Sequence, residues 1–231
     1  MKKKKKEENK IYKVLKTLLL FLLFFTISAI PALIFNIDLD SLSDKDSIIY
    51  SVSCSIVFLI VIVGCYYKSL KKDFKLFFKD FGNNMEQAFK YYLVGLGVMI
   101  VSNVIINLLL SGELTDNEQT VRNYLEIAPL LMLFDISIYA PLAEELLFRK
   151  SIREVIDNKW LYIFVSGFIF GALHVIDTPF YMALLYLIPY CSLGFAFAYT
   201  YTKSNNIFSS IMMHFIHNSV TALLLIGATY L

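Results

Sequence analysis

Charge is scarce in this chain: of 231 residues, 17% are Asp, Glu, Lys or Arg, against 58% hydrophobic. With a mean hydropathy of +0.63, that balance excludes an ordinary soluble domain, which carries about a quarter charged residues. Cysteine is thin as well. Cys54, Cys65 and Cys191 are too few and too scattered for a disulfide framework or a thiolate metal site. Histidine is reduced to His174, His214 and His217. No internal repeat or low-complexity linker divides the chain, which argues against a transporter built from paired halves.

What the chain has is apolar residues in blocks of about 20, the length that spans a hydrocarbon core. The blocks predict an all-α polytopic transmembrane helix bundle. Its spans, about seven, lie near Val14–Phe35, Ile48–Tyr67, Phe89–Leu110, Leu125–Phe148, Trp160–Ile176, Phe180–Thr202 and Ile207–Tyr230. The apolar run Leu15 to Phe35 is too long for a cleaved signal peptide and reads as an anchor.

Lysine and arginine cluster in alternate connections: Lys2 to Lys6 with Lys10, Lys13 and Lys16; Lys68 to Lys79; Arg149 to Lys159; and Lys203. The intervening connections are acidic or nearly uncharged, with Asp38, Asp40, Asp44 and Asp46 in one and Glu113, Asp116 and Glu118 in another. By the positive-inside rule the N-terminus is cytoplasmic and the C-terminus outside. Residues 1–13 read as a basic cytoplasmic segment, 14–124 as N-terminal spans and 125–231 as the part that carries the chemistry. Leu70, Phe74, Leu76, Phe77 and Phe81, set against lysines, suggest an amphipathic cytoplasmic helix near 69–81. Asn103 and Asn107 are spaced to share a helix face and hydrogen-bond neighbouring helices. The implied setting is a cell membrane, crossed many times, with the lipid bilayer as partner and no nucleic acid. The many Ile, Lys, Asn and Phe suggest a bacterial source.

Against this background three polar clusters stand out, because an ionisable side chain at membrane depth costs on the order of 3 kcal/mol. In the first, Glu144-Glu145 with Arg149, Pro141 bends the helix just before the acids. Glu145 and Arg149 are spaced to pair on one face, while Glu144 points about 100° away. One acid is thus structural and the other free to act as a general base for water. The second is His174, on a helix whose Gly167, Gly171 and Ala172 let a neighbour approach closely. The third groups His214, His217 and Asn218, where an imidazole and a carboxamide one turn apart can donate to an oxyanion. Each cluster alone also has a plain structural reading: a charged helix end, a packing histidine, polar glue between helices. Asp135, midway along the fourth span, has no role assigned from sequence.

Glu144-Glu145-x-x-x-Arg149, Phe170-x-x-x-His174 and His214-x-x-x-Asn218 resemble, in order and spacing, the three motifs of the CPBP family of intramembrane proteases, which includes the type II CAAX prenyl endopeptidases and Abi-type proteins. The resemblance covers about Leu130 to Leu225. It implies an intramembrane endopeptidase acting on a membrane-associated peptide or protein near the cytoplasmic face. Glu144 and His174 would activate water, His214 and Asn218 would stabilise the oxyanion, and Glu145 and Arg149 would support them. His217 falls outside the pattern. A metal-free reaction is favoured; the alternative is a zinc ion on Glu144, His174 and His214. Other protease signatures, Gly-x-Ser-Gly and His-Glu-x-x-His among them, are missing. A non-catalytic membrane scaffold or immunity protein that retains the motifs is the alternative function. Counted from the cytoplasmic ends, Glu144 and His214 lie roughly 8–10 Å deep and His174 about 20 Å, and the cavity they share is expected to open toward the cytoplasm.

Overall fold

A computed structural model describes residues 2–230, with side-chain surroundings given for residues 8–228. The side chains of Lys2 to Lys6 in the basic segment lie outside those described residues. The helices are α1 (Lys2–Thr26), α2 (Ala29–Phe35), α3 (Asp44–Lys79), α4 (Phe81–Leu110), α5 (Asp116–Ile127), α6 (residues 129–155), α7 (Lys159–Leu173), α8 (Phe180–Ser204) and α9 (Ile207–Tyr230). No strand occurs among the described residues. Small polar residues set the starts: Ser43 accepts from the Asp46 N–H, Thr115 from Glu118, and Asn158 from Trp160 and Leu161, each capping amides left open by the first turn. Asn36, Ser111 and Asn205 take left-handed conformations at the ends of α2, α4 and α8, where the turn satisfies late carbonyls.

Four helices are long and apolar enough to cross a membrane alone: α3, α4, α8 and the Ile207–Ala228 part of α9. The pair α1 and α2, bent by 60°, makes a fifth when taken as one span. The other two expected spans need correction. Residues 125–148 are not one helix, because the backbone turns at Ala128 and Pro129 opens α6. A residue before proline is pushed out of the helical region, and proline suits the first helical position. Nor does the span expected over 160–176 reach that far. With 15 residues, α7 is about 22 Å long, short of the roughly 30 Å hydrocarbon core.

Contacts at the two ends of the bundle set how the connections are distributed. At one end Lys16 Nζ lies 2.6 Å from Glu154 Oε2, Lys150 Nζ 3.1 Å from Asp73 Oδ2, and Tyr66 OH 2.8 Å from Ser151 Oγ. Asn206 Nδ2 donates to the Asp73 carbonyl there (2.8 Å). At the other end Tyr186 OH donates to the Glu113 carbonyl, and Thr115 Oγ1 lies 3.3 Å from Tyr190 OH. The lysine-bearing connections therefore gather at one end and the acidic ones at the other.

Two local expectations change. Residues 69–79 do not form a separate helix on the leaflet; they continue α3 without a break. Leu70, Asp73 and Phe77 face inward, while Phe74, Leu76 and Phe81 are exposed, because Asp73 is held by Lys150 rather than turned to solvent. Asn103 and Asn107 are exposed and make no hydrogen bond to a neighbouring helix among the described residues; Asn103 instead reaches a cavity wall.

At the centre of the bundle, α8 packs against α4 and α7 through glycine. A Cβ at Gly171 would stand 2.4 Å from Cys191 Sγ and 2.8 Å from its backbone N. At Gly95 it would stand 2.6 Å from the Ala196 Cβ. The close approach expected at Gly167 and Gly171 is real, and its partner is α8.

Candidate active site

α6 is an α-helix interrupted by two wider π turns, Asp135–Tyr139 and Glu145–Ser151, a feature common at functional sites. The second π turn carries the buried ion pair. Glu145 and Arg149 have no solvent exposure, and Glu145 Oε2 lies 3.2 Å from Arg149 Nε. The guanidinium sits 4.5 Å from the centre of the Phe170 ring and donates through Nη1 to the hydroxyl and carbonyl of Ser166. Ser166 in turn donates to the Phe148 carbonyl at 2.7 Å. α6 and α7 are thereby tied behind the site.

The other oxygen of Glu145, Oε1, accepts from His214 Nδ1 at 3.0 Å. That bond fixes the His214 ring, which stacks on Phe197 at 4.8 Å, and turns its Nε2 toward Glu144. Glu144 Oε2 stands 3.9 Å from that nitrogen, with 17% of its side chain exposed. The neighbouring acids divide as helix geometry requires: Glu145 points into protein, Glu144 into a cavity. His174, at the end of α7, donates from Nδ1 to the Phe170 carbonyl at 2.8 Å. A carbonyl only accepts, so Nδ1 carries the hydrogen and Nε2 of the neutral ring keeps its lone pair.

Asn218 has a backbone partner. In the first π turn the Ala140 N–H bonds to the Asp135 carbonyl, so the next carbonyl, that of Ile136, would need the N–H of residue 141. Residue 141 is proline and has none. Asn218 Nδ2 donates to that Ile136 carbonyl at 2.9 Å, filling the gap and fastening α9 to α6. His217 Nδ1 lies 3.1 Å from Tyr92 OH.

Glu144, His174, His214, His217 and Asn218 all border one cavity of about 380 Å³, a size that accommodates small ligands as well as water. Asp135 borders it too. Its signal in the sequence is an acid at mid-span with no basic partner at helical spacing. Beyond the histidines the wall continues through Asn103, Tyr186, Val121, Glu118 and Asn117, toward the acidic end of the bundle. The lysine-bearing end is closed by a dense core that includes Tyr66, Leu146, Leu147 and Tyr201. Glu144, His174 and His214 nevertheless share the cavity: α6 runs on to Val155, which sets Glu144 deeper than the count from sequence, and His174 stands just past the end of α7.

Among the described residues no group of three or more His, Cys, Asp or Glu is gathered closely enough to hold a metal.

Residues 126–220 match the family model described as Type II CAAX prenyl endopeptidase Rce1-like. Among curated proteins, the chain is 23% identical over 194 residues to YdiL of Bacillus subtilis, named as a candidate membrane peptidase, covering 77% of this chain and 70% of that one. It is 38% identical over 79 residues to YxdF of Lactococcus lactis, covering 34% of this chain and 41% of the relative. A Mycoplasma capricolum protein is 31% identical over 93 residues, 40% of this chain and 26% of its own. The chain thus spans less than half the length of the last two. No solved structure matches the chain. Residues 126–220 thus carry the similarity to the Type II CAAX prenyl endopeptidase Rce1-like family, within a multi-pass helical membrane protein whose three motifs border one cavity.

Proposed function

We propose that this protein is an intramembrane endopeptidase that hydrolyses a peptide bond of a membrane-associated peptide or protein with water activated by Glu144. The observation that carries this reading is the placement of Glu144 Oε2 3.9 Å from His214 Nε2 on the wall of a cavity that His174 also borders. That gap is too long for a direct hydrogen bond and leaves the Glu144 carboxylate unpaired at the cavity wall.

In the proposed reaction the Glu144 carboxylate takes a proton as the water oxygen bonds to the substrate carbonyl carbon. The bare Nε2 of His174 holds the same water. The carbonyl electrons move to oxygen, and the oxyanion is met by the second amide hydrogen of Asn218, with His214 beside it. As the C–N bond breaks, the proton held by Glu144 passes to the leaving amine. Glu145 and Arg149 do not touch the substrate; they hold His214 and the helix turn. The course of the cavity favours a substrate that enters from the acidic end and is cut within the bilayer, not at the lysine-bearing face.

The test is cleavage of a bacterial membrane-protein extract by the full chain in liposomes, with new peptide N-termini identified by mass spectrometry. Termini produced by the wild type should fall about 10²–10⁴-fold with Glu144→Gln or His174→Ala, in variants that still insert. Undiminished cleavage by Glu144→Gln would remove the hydrolytic role. A cellular phenotype indifferent to that substitution but lost with α9 would favour a scaffold.

A further inference from the structure

The reaction leaves Asp135 unused, although its position in a membrane bundle is costly. It lies on the first π turn of α6, at a wall shared by two cavities. One is the 380 Å³ site cavity; the other, of about 180 Å³, is bordered by Ile48, Val52, Tyr124 and Met132 along its apolar side and by Ser51 and Thr120. Asp135 Oδ1 is buried without a hydrogen-bond partner. The groups that face the carboxyl are the Ser55 hydroxyl, the Tyr139 phenol and the Glu144 carboxylate. None of these is a cation, and Asp135 forms no ion pair among the described residues.

Neither cavity has a lysine or arginine on its wall. Arg149 stands behind the site on Glu145, and Arg122 is 2.6 Å from Glu118 at the rim. Of the histidines, His214 is bound to Glu145 and His174 to a carbonyl, while His217 meets a phenol. The wall therefore presents carboxylates with no fixed cation to balance Asp135. An ion in such surroundings is expensive until a counter-charge arrives. A long side chain with an apolar stem and a charged tip fits the apolar second cavity and the Asp135 carboxyl at its wall.

We propose that Asp135 is a substrate-binding residue that receives a lysine or arginine side chain next to the scissile bond, with the second cavity taking the methylene stem. This assigns the substrate class, peptides with a basic residue within an apolar stretch, and it rests on the hydrolytic reading above.

Binding is tested apart from catalysis on the full chain carrying Glu144→Gln, in phosphatidylcholine liposomes. The probes are two dansyl-labelled apolar octapeptides that differ only in a central lysine or norleucine, with protein-free liposomes as the blank. The lysine peptide should bind at least about 10-fold more tightly. Adding Asp135→Asn should bring the two affinities together, and Asp135→Glu should keep a preference for lysine. Equal binding of the twins to the Glu144→Gln chain, or a lysine preference that survives Asp135→Asn, would overturn the proposal.

With the active chain, a peptide library made by a glutamate-specific protease, which leaves lysine and arginine internal, should be cut at sites enriched in those residues. Cleavage without that enrichment, but still abolished by Glu144→Gln, would defeat the assignment of Asp135 alone. Cleavage that persists in Glu144→Gln would defeat the hydrolytic reading instead.

Discussion

Arg149 is the side chain on which the site's rear wall depends. It is fully buried, paired with Glu145 and flanked by Phe170, and a buried charge that loses its partner is far more damaging than a pair replaced together. Arg149→Ala should therefore cost about 3–5 kcal/mol, read as a lower thermal unfolding midpoint in detergent. Glu144→Gln, whose side chain faces the cavity, should cost less than about 1 kcal/mol. A small loss in Arg149→Ala would show that Glu145 finds another partner. At this scale the sequence was informative about the pairing and the divergence of the two acids, because both follow from helical spacing. It was silent on the bond from Asn218 to Ile136. That bond depends on a π turn followed by Pro141, and a change of hydrogen-bond register has no composition signature.

Among the elements, α7 and α8 decide where His174 stands. Gly171 lies against Cys191 so closely that a methyl group would meet both Sγ and the backbone N. Gly171→Ala should thus force the two helices apart, lowering stability by about 1–3 kcal/mol and displacing His174 three residues on. The matched control is Gly64→Ala on α3, where an added Cβ meets nothing within 4 Å and the midpoint should change by less than about 0.5 kcal/mol. Equal midpoints for the two variants would mean that the seam yields freely. The small residues at 167 and 171 made this contact legible beforehand. The boundaries of α3 and α6 were harder to read: lysines that look like a surface loop continue α3, and one residue before Pro129 divides an apolar run that hydropathy reads as continuous.

For the whole molecule, the alternation of basic and acidic connections was the most reliable guide, because it depends on the sum of many charges and not on any single boundary. What it left open was the direction of the cavity, which depends on where the core is dense. A cysteine at Asn117, on the cavity wall near the acidic end, and one at Lys75, at the lysine-bearing end, are placed to report that direction in a background lacking Cys54, Cys65 and Cys191. A membrane-impermeant maleimide should label them from opposite faces of sealed vesicles. Labelling of both from one face would refute the seven-pass arrangement and the entry route with it.

The short reach of α7 bears on the surrounding lipid. Trp160, Phe164 and Phe168 are exposed along it at 67%, 58% and 42%, yet the helix ends about 22 Å from its start. Acyl chains beside it face an apolar wall lower than the normal hydrocarbon thickness, and such mismatch is relieved by local thinning of the bilayer. A bilayer around this chain would then be thinnest beside α7, on the side where His174 ends its helix.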